Sequence, residues 1–342
     1  MRRRLRPQKF CSLTTISYFD IFGLKFNMAM VRSIFSKRES GELAVVNLYA
    51  SGVEVARVRR NAAAHPVVEF CSARPCASDQ AETLQSLRRE LHLERFRCAT
   101  LLPAAQYQLQ LLDAPNVPDA EMKAAVRWKL KDFVDYPVES ACVDVIPIPA
   151  DAGAPTRGRS VYAVSARNAD IEARMTLFAQ AKIPLRVIEI PEMAQRNIAA
   201  LLETDQRALA VLSFGEDGGL LTFSARGELY LSRRINVSLE QLAHAAADVR
   251  EQMFERIALE LQRSLDHFDR QFSNIALSRV MLAPLPEGLG LQAYLAGNLS
   301  APVESVNLGN VLDFDQAPAL RETAEQILRW QTLGAALRVE SA

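Results

Sequence analysis

The stretch that decides the fold is Glu121–Asp144, EMKAAVRWKLKDFVDYPVESACVD. Apolar residues recur in it at steps of three and four, which predicts a helix with one stripe facing a core. Asp119 is the predicted N-cap, and Pro137 ends the helix because a residue before proline is pushed out of the helical region. The stripe consists of Met122, Val126, Leu130 and Phe133. Cys142–Ile148 then predicts a strand, so the stretch is a helix-to-strand unit typical of an α/β domain.

Composition and charge exclude several classes of protein. The chain has 342 residues, enough for two or more domains, and 40 Lys+Arg against 40 Asp+Glu. This balance gives no indication of a nucleic-acid partner. The five cysteines are scattered and odd in number, and Cys71 and Cys76 lie too far apart for a Cys-x-x-Cys pair. We therefore expect no disulfide framework, no metal site and a reducing, cytoplasmic compartment.

Residues 1–29 differ from the rest of the chain. A run of basic residues precedes a moderately apolar stretch, but Asp20 and Lys25 interrupt it, which argues against a signal peptide or a membrane span. One interpretation is a start upstream of the native one, with Met28 or Met30 as the true beginning. The other is a weak anchor at a membrane surface, with apolar and basic residues on one segment.

Two similar runs of strands lie far apart in the sequence. In the first, strands at 43–50 and 53–60 flank a tight Ser51-Gly52 turn, followed by a strand at 66–71, a helix at 79–93 and a strand at 98–102. In the second, strands at 208–214, 220–224 and 228–235 follow one another, with a glycine-rich turn at Gly215–Gly219. The repetition predicts a duplicated α/β fold.

The remaining segments fit around these two runs. Strands at 107–113, 142–148 and 160–165 with the 121–133 helix predict a small inserted α/β subdomain. Later segments predict helices at 169–181, 191–202, 238–272, 290–296 and 324–336, and strands at 185–190, 275–283 and 302–307. The domains expected are a leader (1–29), the first part of domain one (30–106), the inserted subdomain (107–182), the return to domain one (183–206) and domain two (207–342).

The amino-acid sequences of four segments resemble those of a known family. They are AVRWKLKDFVDYPVE at 125–139, EIPEMA at 189–194, ELQRSLDHF at 260–268 and LGAALR at 333–338. Their order and wording resemble PilM-type actin-like proteins, and are most similar to the MshI branch of mannose-sensitive haemagglutinin (MSHA) pilus biogenesis, over roughly residues 30–338. The resemblance implies an actin-like, ribonuclease-H-like duplicated fold with a small inserted α/β subdomain.

The resemblance also locates a nucleotide site whose motifs are altered. Active relatives carry Asp-x-Gly in both hairpin turns; here those positions read Asn47-Leu48-Tyr49 and Ser213-Phe214-Gly215, and prolines replace the adenosine-side Gly-Gly turn at 283–288. Loss of both acids disfavours Mg-ATP chemistry, so we expect no catalytic residues, no metal and no bound cofactor. The residues of this degenerate site are Asn47, Ser51, Gly52, Ser213, Gly215, Asp217 and Gly218. A purely structural glycine-rich hairpin is the simpler account of the second turn.

The function that the resemblance implies is a non-enzymatic scaffold. It would lie at the cytoplasmic face of the inner membrane and bind the cytoplasmic tail of a PilN-like bitopic protein in a groove between the inserted subdomain and domain one. Trp128, Phe133 and Tyr136 are the candidate contact residues, although each also fits a core position. The alternative is a weak ATPase that binds nucleotide through the glycine-rich turns and Asp217. Self-assembly into homo-oligomers stays open.

Overall fold

The computed structural model describes residues 43–60, 65–76, 80–149, 159–204 and 207–339. The basic leader and most of the 150–159 loop lie outside the described residues. The strands are β1 (Leu43–Leu48), β2 (Gly52–Arg59), β3 (Val67–Pro75), β4 (Arg97–Leu101), β5 (Tyr107–Asp113), β6 (Ala141–Pro147), β7 (Ser160–Arg167), β8 (Leu185–Glu189), β9 (Ala208–Gly215), β10 (Gly218–Ala225), β11 (Glu228–Ile235), β12 (Leu277–Leu282) and β13 (Val303–Ser305). The helices are α1 (Gln80–Leu91), α2 (Asp119–Lys129), α3 (Asn168–Gln180), α4 (Pro191–Leu202), α5 (Leu239–His244), α6 (Ala247–Gln271), α7 (Leu291–Asn298) and α8 (Thr323–Ala336).

Two five-stranded sheets of matching topology form the two halves of the molecule. The first has the order β3-β2-β1-β4-β8 and the second β11-β10-β9-β12-β13. In each, the first three strands are antiparallel neighbours and the remaining strands run parallel to the first. The repetition of strand patterns in the sequence therefore corresponds to a duplicated topology.

The first strand of each sheet lies at its centre and is buried on both faces. Every residue of β1 is buried, and β9 is buried except at Gly215. Alternate side chains of β1 enter two different apolar clusters, since Ala44 and Val46 pack with α1 and α3 while Val45 packs with α4 and α8. This explains why the sequence of β1 is an almost continuous apolar run.

Helices α4 and α8 pack closely together between the two halves. A Cβ atom at Gly334 would lie 2.3 Å from the carbonyl oxygen of Ala194, so the contact requires glycine. Glu189 and Arg338 add a buried ion pair of 2.9 Å near the end of α8. The predicted helix at 191–202 is confirmed, with Pro191 in its first turn.

The third sheet, β5-β7-β6, is antiparallel and carries α2 on one face. Its helix differs from the prediction at both ends. Asp119 is the first helical residue and Pro118 the cap, and α2 ends at Lys129. A 3-10 turn over Leu130–Asp132 follows, which still buries Leu130 but leaves Phe133 51% exposed. The changed helical pitch ends the apolar stripe one residue early.

The prediction of one continuous helix over 238–272 is wrong, because this segment forms two helices, α5 and α6, with a break between them. A capping box at Ser238 starts α5, and Ala245 and Ala246 are extended with ψ of 144° and 156° before α6 begins. The two extended residues shift the phase of the apolar stripe. Val249 lies seven residues after the buried Leu242, so an unbroken helix would place both on one face, but Val249 is 42% exposed.

Within the described ranges, no helix is both long enough and apolar enough to cross a membrane. The cysteines found there, Cys71, Cys76, Cys98 and Cys142, are all unpaired thiols. The same part of the chain contains no group of three or more His, Cys, Asp or Glu side chains that could hold a metal ion.

Candidate functional site

A cleft of about 640 Å³ opens between the two halves, where the β1–β2 and β9–β10 turns face each other. The structure brings all the predicted nucleotide-site residues to this cleft. Pro286, from the loop that replaces the Gly-Gly turn, also lines it. The residues predicted from the sequence and found in the lining are Asn47, Ser51, Gly52, Ser213, Gly215, Asp217 and Gly218.

In the first turn, the amide that replaces the expected acid is engaged inside the protein. Asn47 Nδ2 donates hydrogen bonds to Tyr49 Oη at 2.7 Å and to Thr332 Oγ1 at 3.2 Å. Burial, followed by the charge of Glu54, raises the pKa of Tyr49 far above its usual range. The neutral phenol therefore lies against Asn47, where the family resemblance implies a carboxylate.

A buried carboxylate that the sequence analysis missed completes this arrangement. Glu54 lies opposite Asn47 on β2; Arg329 Nη1 donates to its Oε1 at 2.7 Å and Thr332 Oγ1 to its Oε2 at 2.5 Å. Burial raises the pKa of Glu54, while Thr332 and the Arg329 charge counteract the rise. The sequence signal that could have indicated this role is the single acidic residue, Glu54, in the predicted strand that begins VEVAR. We call Asn47, Tyr49, Glu54, Arg329 and Thr332 the Glu54 cluster.

Gly52 has a packing role in the same turn. A Cβ atom there would lie 2.4 Å from the carbonyl oxygen of Arg74 on β3, so close pairing of β2 with β3 already requires glycine. Its presence beside the cleft therefore does not by itself indicate a phosphate.

In the second turn, Ser213 occupies the position of the expected acid and is also engaged internally. Its Oγ donates to Gln195 Oε1 at 2.5 Å, and Trp330 Nε1 donates to the same oxygen at 3.2 Å. Gln195 Nε2 donates to Thr222 Oγ1 at 3.0 Å and to two backbone carbonyls. Gln195 is fully buried on α4. None of the hydrogen-bonded side chains is ionisable, so this network, which we call the Gln195 network, is neutral.

The tip of the second turn reaches across the mouth of the cleft. Asp217 Oδ2 accepts a hydrogen bond of 3.1 Å from the backbone N–H of Ala104 in the other half. Gly218 has φ +100°, a conformation that favours glycine, whereas Gly215 has open space where a Cβ would stand. Asp217 is thus committed to a bond between the halves.

The three aromatic residues predicted to contact a partner are not brought together at the groove. Trp128 is 70% exposed on the side of α2 away from the third sheet, which excludes a core position for it. Tyr136 is partly buried, with the Arg167 guanidinium 4.5 Å from its ring centre. The narrow slit between the inserted subdomain and domain one is lined instead by Leu102, Cys142, Asp144, Val164, Ala166, Ile188 and Ile190.

One carboxylate in that slit is only partly satisfied. Asp144 Oδ1 accepts from the Val145 N–H at 3.0 Å and pairs with Lys123 Nζ at 2.9 Å. Its Oδ2 is buried and has no hydrogen-bond partner in the structure. An N–H donor of an incoming chain would satisfy it.

Comparison with solved structures gives the fold. No family model and no curated protein matches the chain. A chain of the PilM–PilN type IV pilus biogenesis complex superposes with a TM-score of 0.64 at 20% identity, over 86% of this chain and 98% of that chain. The chain has the actin-like fold.

Two further actin-like similarities are more distant. The cytoplasmic domain of EpsL, an inner-membrane component of the Vibrio cholerae type II secretion system, gives a TM-score of 0.43 at 14% identity, over 72% of this chain and 84% of that one. A Bacteroides thetaiotaomicron protein with an actin-like ATPase fold gives 0.45 at 11% identity, over 84% and 98%. The similarity to the chain of the PilM–PilN complex confirms the predicted fold class, and the two matching sheets are the two halves of that fold.

Proposed function

We propose that the chain is the cytoplasmic actin-like scaffold of an inner-membrane platform that assembles an MSHA-type or other type IV pilus. In this role it binds the cytoplasmic tail of a PilN-like membrane protein and attaches to the membrane peripherally through that partner. The observation that carries the proposal is the similarity to a chain of the PilM–PilN complex, which extends over 98% of that chain. The sequence segments that resemble PilM-type proteins support it independently.

The residues at the positions of the two expected acids, Asn47 and Ser213, do not offer a carboxylate to a magnesium–nucleotide complex. Mg²⁺ in nucleotide sites is held by carboxylates, water and phosphates. Of the acids that line this cleft, Glu54 is held by Arg329 and Thr332, and Asp217 accepts from the backbone of Ala104, whereas Glu216 and Glu240 are exposed. We therefore propose that binding of the partner, and not hydrolysis, is the function of the chain.

Two surfaces compete for the tail peptide. The slit beside β6 has an apolar lining and the buried Oδ2 of Asp144, but its volume of about 10 Å³ means that an extended peptide enters only if the inserted subdomain and domain one move apart. The outer face of α2 offers the exposed indole of Trp128, a residue type enriched at binding hot spots. We favour the slit, because it lies between the inserted subdomain and domain one, where the family resemblance implies the groove.

Isothermal titration calorimetry of the full chain tests the proposal. The titrants are the PilN-like tail peptide, a scrambled peptide and Mg-ATP. We expect the tail peptide to bind without nucleotide. Cys142→Trp places a large side chain in the slit and should weaken the binding of the peptide by about tenfold or more. Trp128→Ser tests the other surface, and Leu259→Ser, an exposed apolar residue on α6, is the control. Absence of peptide binding, with or without nucleotide, would overturn the scaffold function.

One observation favours a second candidate, a weak actin-like ATPase or nucleotide-binding protein of the same platform. The cleft is open and Gly215 leaves its backbone accessible, as a phosphate would require. Metal-dependent hydrolysis of ATP that disappears in Asp217→Ala would support this candidate. Tight Mg-ATP binding together with peptide binding would mean that the scaffold is regulated by nucleotide.

A further inference from the structure

A second pocket, of about 310 Å³, lies beside the cleft but opens toward the α1–α3 layer. The end of β1, the first residue of α1, the segment after β4 and one side of α3 form its walls. Its polar side chains include Gln80, Gln106, Asp170 and Arg174. Gln80 Nε2 donates to the backbone carbonyl of Tyr49 at 3.3 Å, whereas the other three side chains do not contact the Glu54 cluster or the Gln195 network.

Arg174 on α3 is the unusual feature of this pocket. The residue is only 9% exposed, and its Nη2 donates to Gln106 Oε1 at 3.1 Å. Its Nη1 is buried and has no hydrogen-bond partner in the structure. By contrast, the buried guanidinium of Arg338 has a carboxylate, that of Glu189, at 2.9 Å. A guanidinium stays charged in proteins, and a buried charge without a counter-ion is costly, so Arg174 lacks a partner that its surroundings require.

The nearest acid does not supply that partner. Asp170 precedes Arg174 by one helical turn and lines the same pocket, yet no ion pair between them forms in the structure. Burial lowers the pKa of Arg174 and the charge of Asp170 only counteracts this. The Arg174 guanidinium therefore lines the pocket without an ion-pair partner among the described residues.

We propose that this pocket binds a carboxylate, held by the Arg174 guanidinium and the amide nitrogen of Gln106. Because Gln106 Oε1 already accepts from Arg174, the NH₂ group of Gln106 is left as a second donor. One cation and one neutral donor match the two oxygens of a single negative charge. A doubly charged phosphate fits less well, since Asp170 lies in the same pocket. The proposal is independent of the pilus function.

The carboxylate has two sources with the same chemistry, a free small acid and an acidic side chain of a peptide or protein. Titration of the full chain with acetate and with the capped tripeptide acetyl-Gly-Glu-Gly-amide separates them. Peptide binding about tenfold tighter than acetate would identify a protein side chain as the source, because flanking backbone adds contacts in a pocket of this size. Equal affinity would identify a free acid. Both outcomes support the carboxylate site.

The decisive comparison uses wild type, Arg174→Met and Gln106→Leu, with Arg263→Met on the exposed face of α6 as the control. Calorimetry and thermal unfolding are followed with the tripeptide, acetate and inorganic phosphate. We expect saturable carboxylate binding that falls about tenfold or more in Arg174→Met, falls less in Gln106→Leu and is unchanged in the control. Absence of saturable carboxylate binding, equal binding in Arg174→Met, or tighter binding of phosphate would overturn the proposal.

A second measurement separates a ligand site from a structural role of the same arginine. Without carboxylate, Arg174→Met is expected to have a Tm equal to or above that of wild type, because it removes a buried charge that has no counter-ion. Added carboxylate should then raise the Tm of wild type and leave that of the variant unchanged. A Tm well below that of the control variant without ligand would show that the guanidinium is structural and would overturn the proposal.

Discussion

The β1–β2 turn and the β9–β10 turn occupy matching positions in the two sheets, and each has a neutral residue, Asn47 or Ser213, where the family resemblance implies an acid. The first turn is anchored by the charged Glu54 cluster, which reaches α8, whereas the second is anchored by the neutral Gln195 network on α4. Helix α4 comes from the first half and packs on β9 and β10, and α8 comes from the end of the chain and packs on β1 and β2. Each half thus supplies the anchor of the other.

The difference in charge determines how each anchor should fail. Removing one member of a buried ion pair leaves an uncompensated charge, which costs more than leaving neutral groups without hydrogen bonds. The two anchors occupy equivalent places in a duplicated fold, so their disruption can be compared within one molecule.

Arg329→Met should be the most damaging change. It leaves Glu54 buried without its counter-ion, and we expect a loss of about 3–5 kcal/mol in the free energy of unfolding. Urea unfolding followed by circular dichroism measures it. Glu325→Gln is the matched control, because it removes the other, more exposed carboxylate paired with Arg329 at 3.1 Å and should cost about 0–1 kcal/mol. Equal losses in the two variants would contradict the importance of the buried pair.

Gln195→Leu should disrupt the second anchor at a lower cost. It leaves Ser213, Trp330 and Thr222 without their hydrogen-bond partner but introduces no charge. We expect a loss of about 2–3 kcal/mol, measured in the same urea titration. A loss larger than that of Arg329→Met would reverse the comparison between the two anchors.

The pH dependence of unfolding should distinguish the charged anchor. The pKa of Glu54 in the folded protein is raised above its ordinary value of 4.5, so the folded state binds the proton more tightly than the unfolded state. Stability therefore falls as the pH rises from about 4.5 through the raised folded pKa. The free energy of unfolding of wild type should decrease over this window relative to that of Glu54→Gln. Parallel pH profiles for the two proteins would contradict the raised pKa.

Much of the fold could be predicted from local sequence. Alternating and continuous apolar runs gave the strands, and proline at position 191 marked the start of α4. Matching strand-turn patterns indicated the duplication, and the resemblance to PilM-type proteins indicated that the two hairpin turns belong to one site. These features depend on residues close together in the chain, where pattern and propensity act directly.

The partners of the turn residues could not be predicted in the same way. Asn47 bonds to Thr332, 285 positions away, and nothing local to either residue indicates the other. The break at Ala245–Ala246 also contradicts local propensity, because alanine favours a helix and both residues are extended. Tertiary context, which local sequence does not show, overrides this preference. Trp128 is two positions from both Val126 and Leu130, so the apolar stripe places it on the opposite face of α2, and its exposure of 70% agrees with that pattern.

Asp217→Ala should have the smallest effect on stability. Asp217 is exposed, and its bond to the Ala104 N–H joins the halves at the edge of the cleft, where water can replace it. We expect a loss of about 0.5–1 kcal/mol in urea unfolding, against no measurable change in Glu216→Ala, its exposed neighbour. A loss as large as that of Gln195→Leu would mean that the tip of the second turn, and not its buried base, holds the two halves together. The two turns would then differ in where they are anchored as well as in charge.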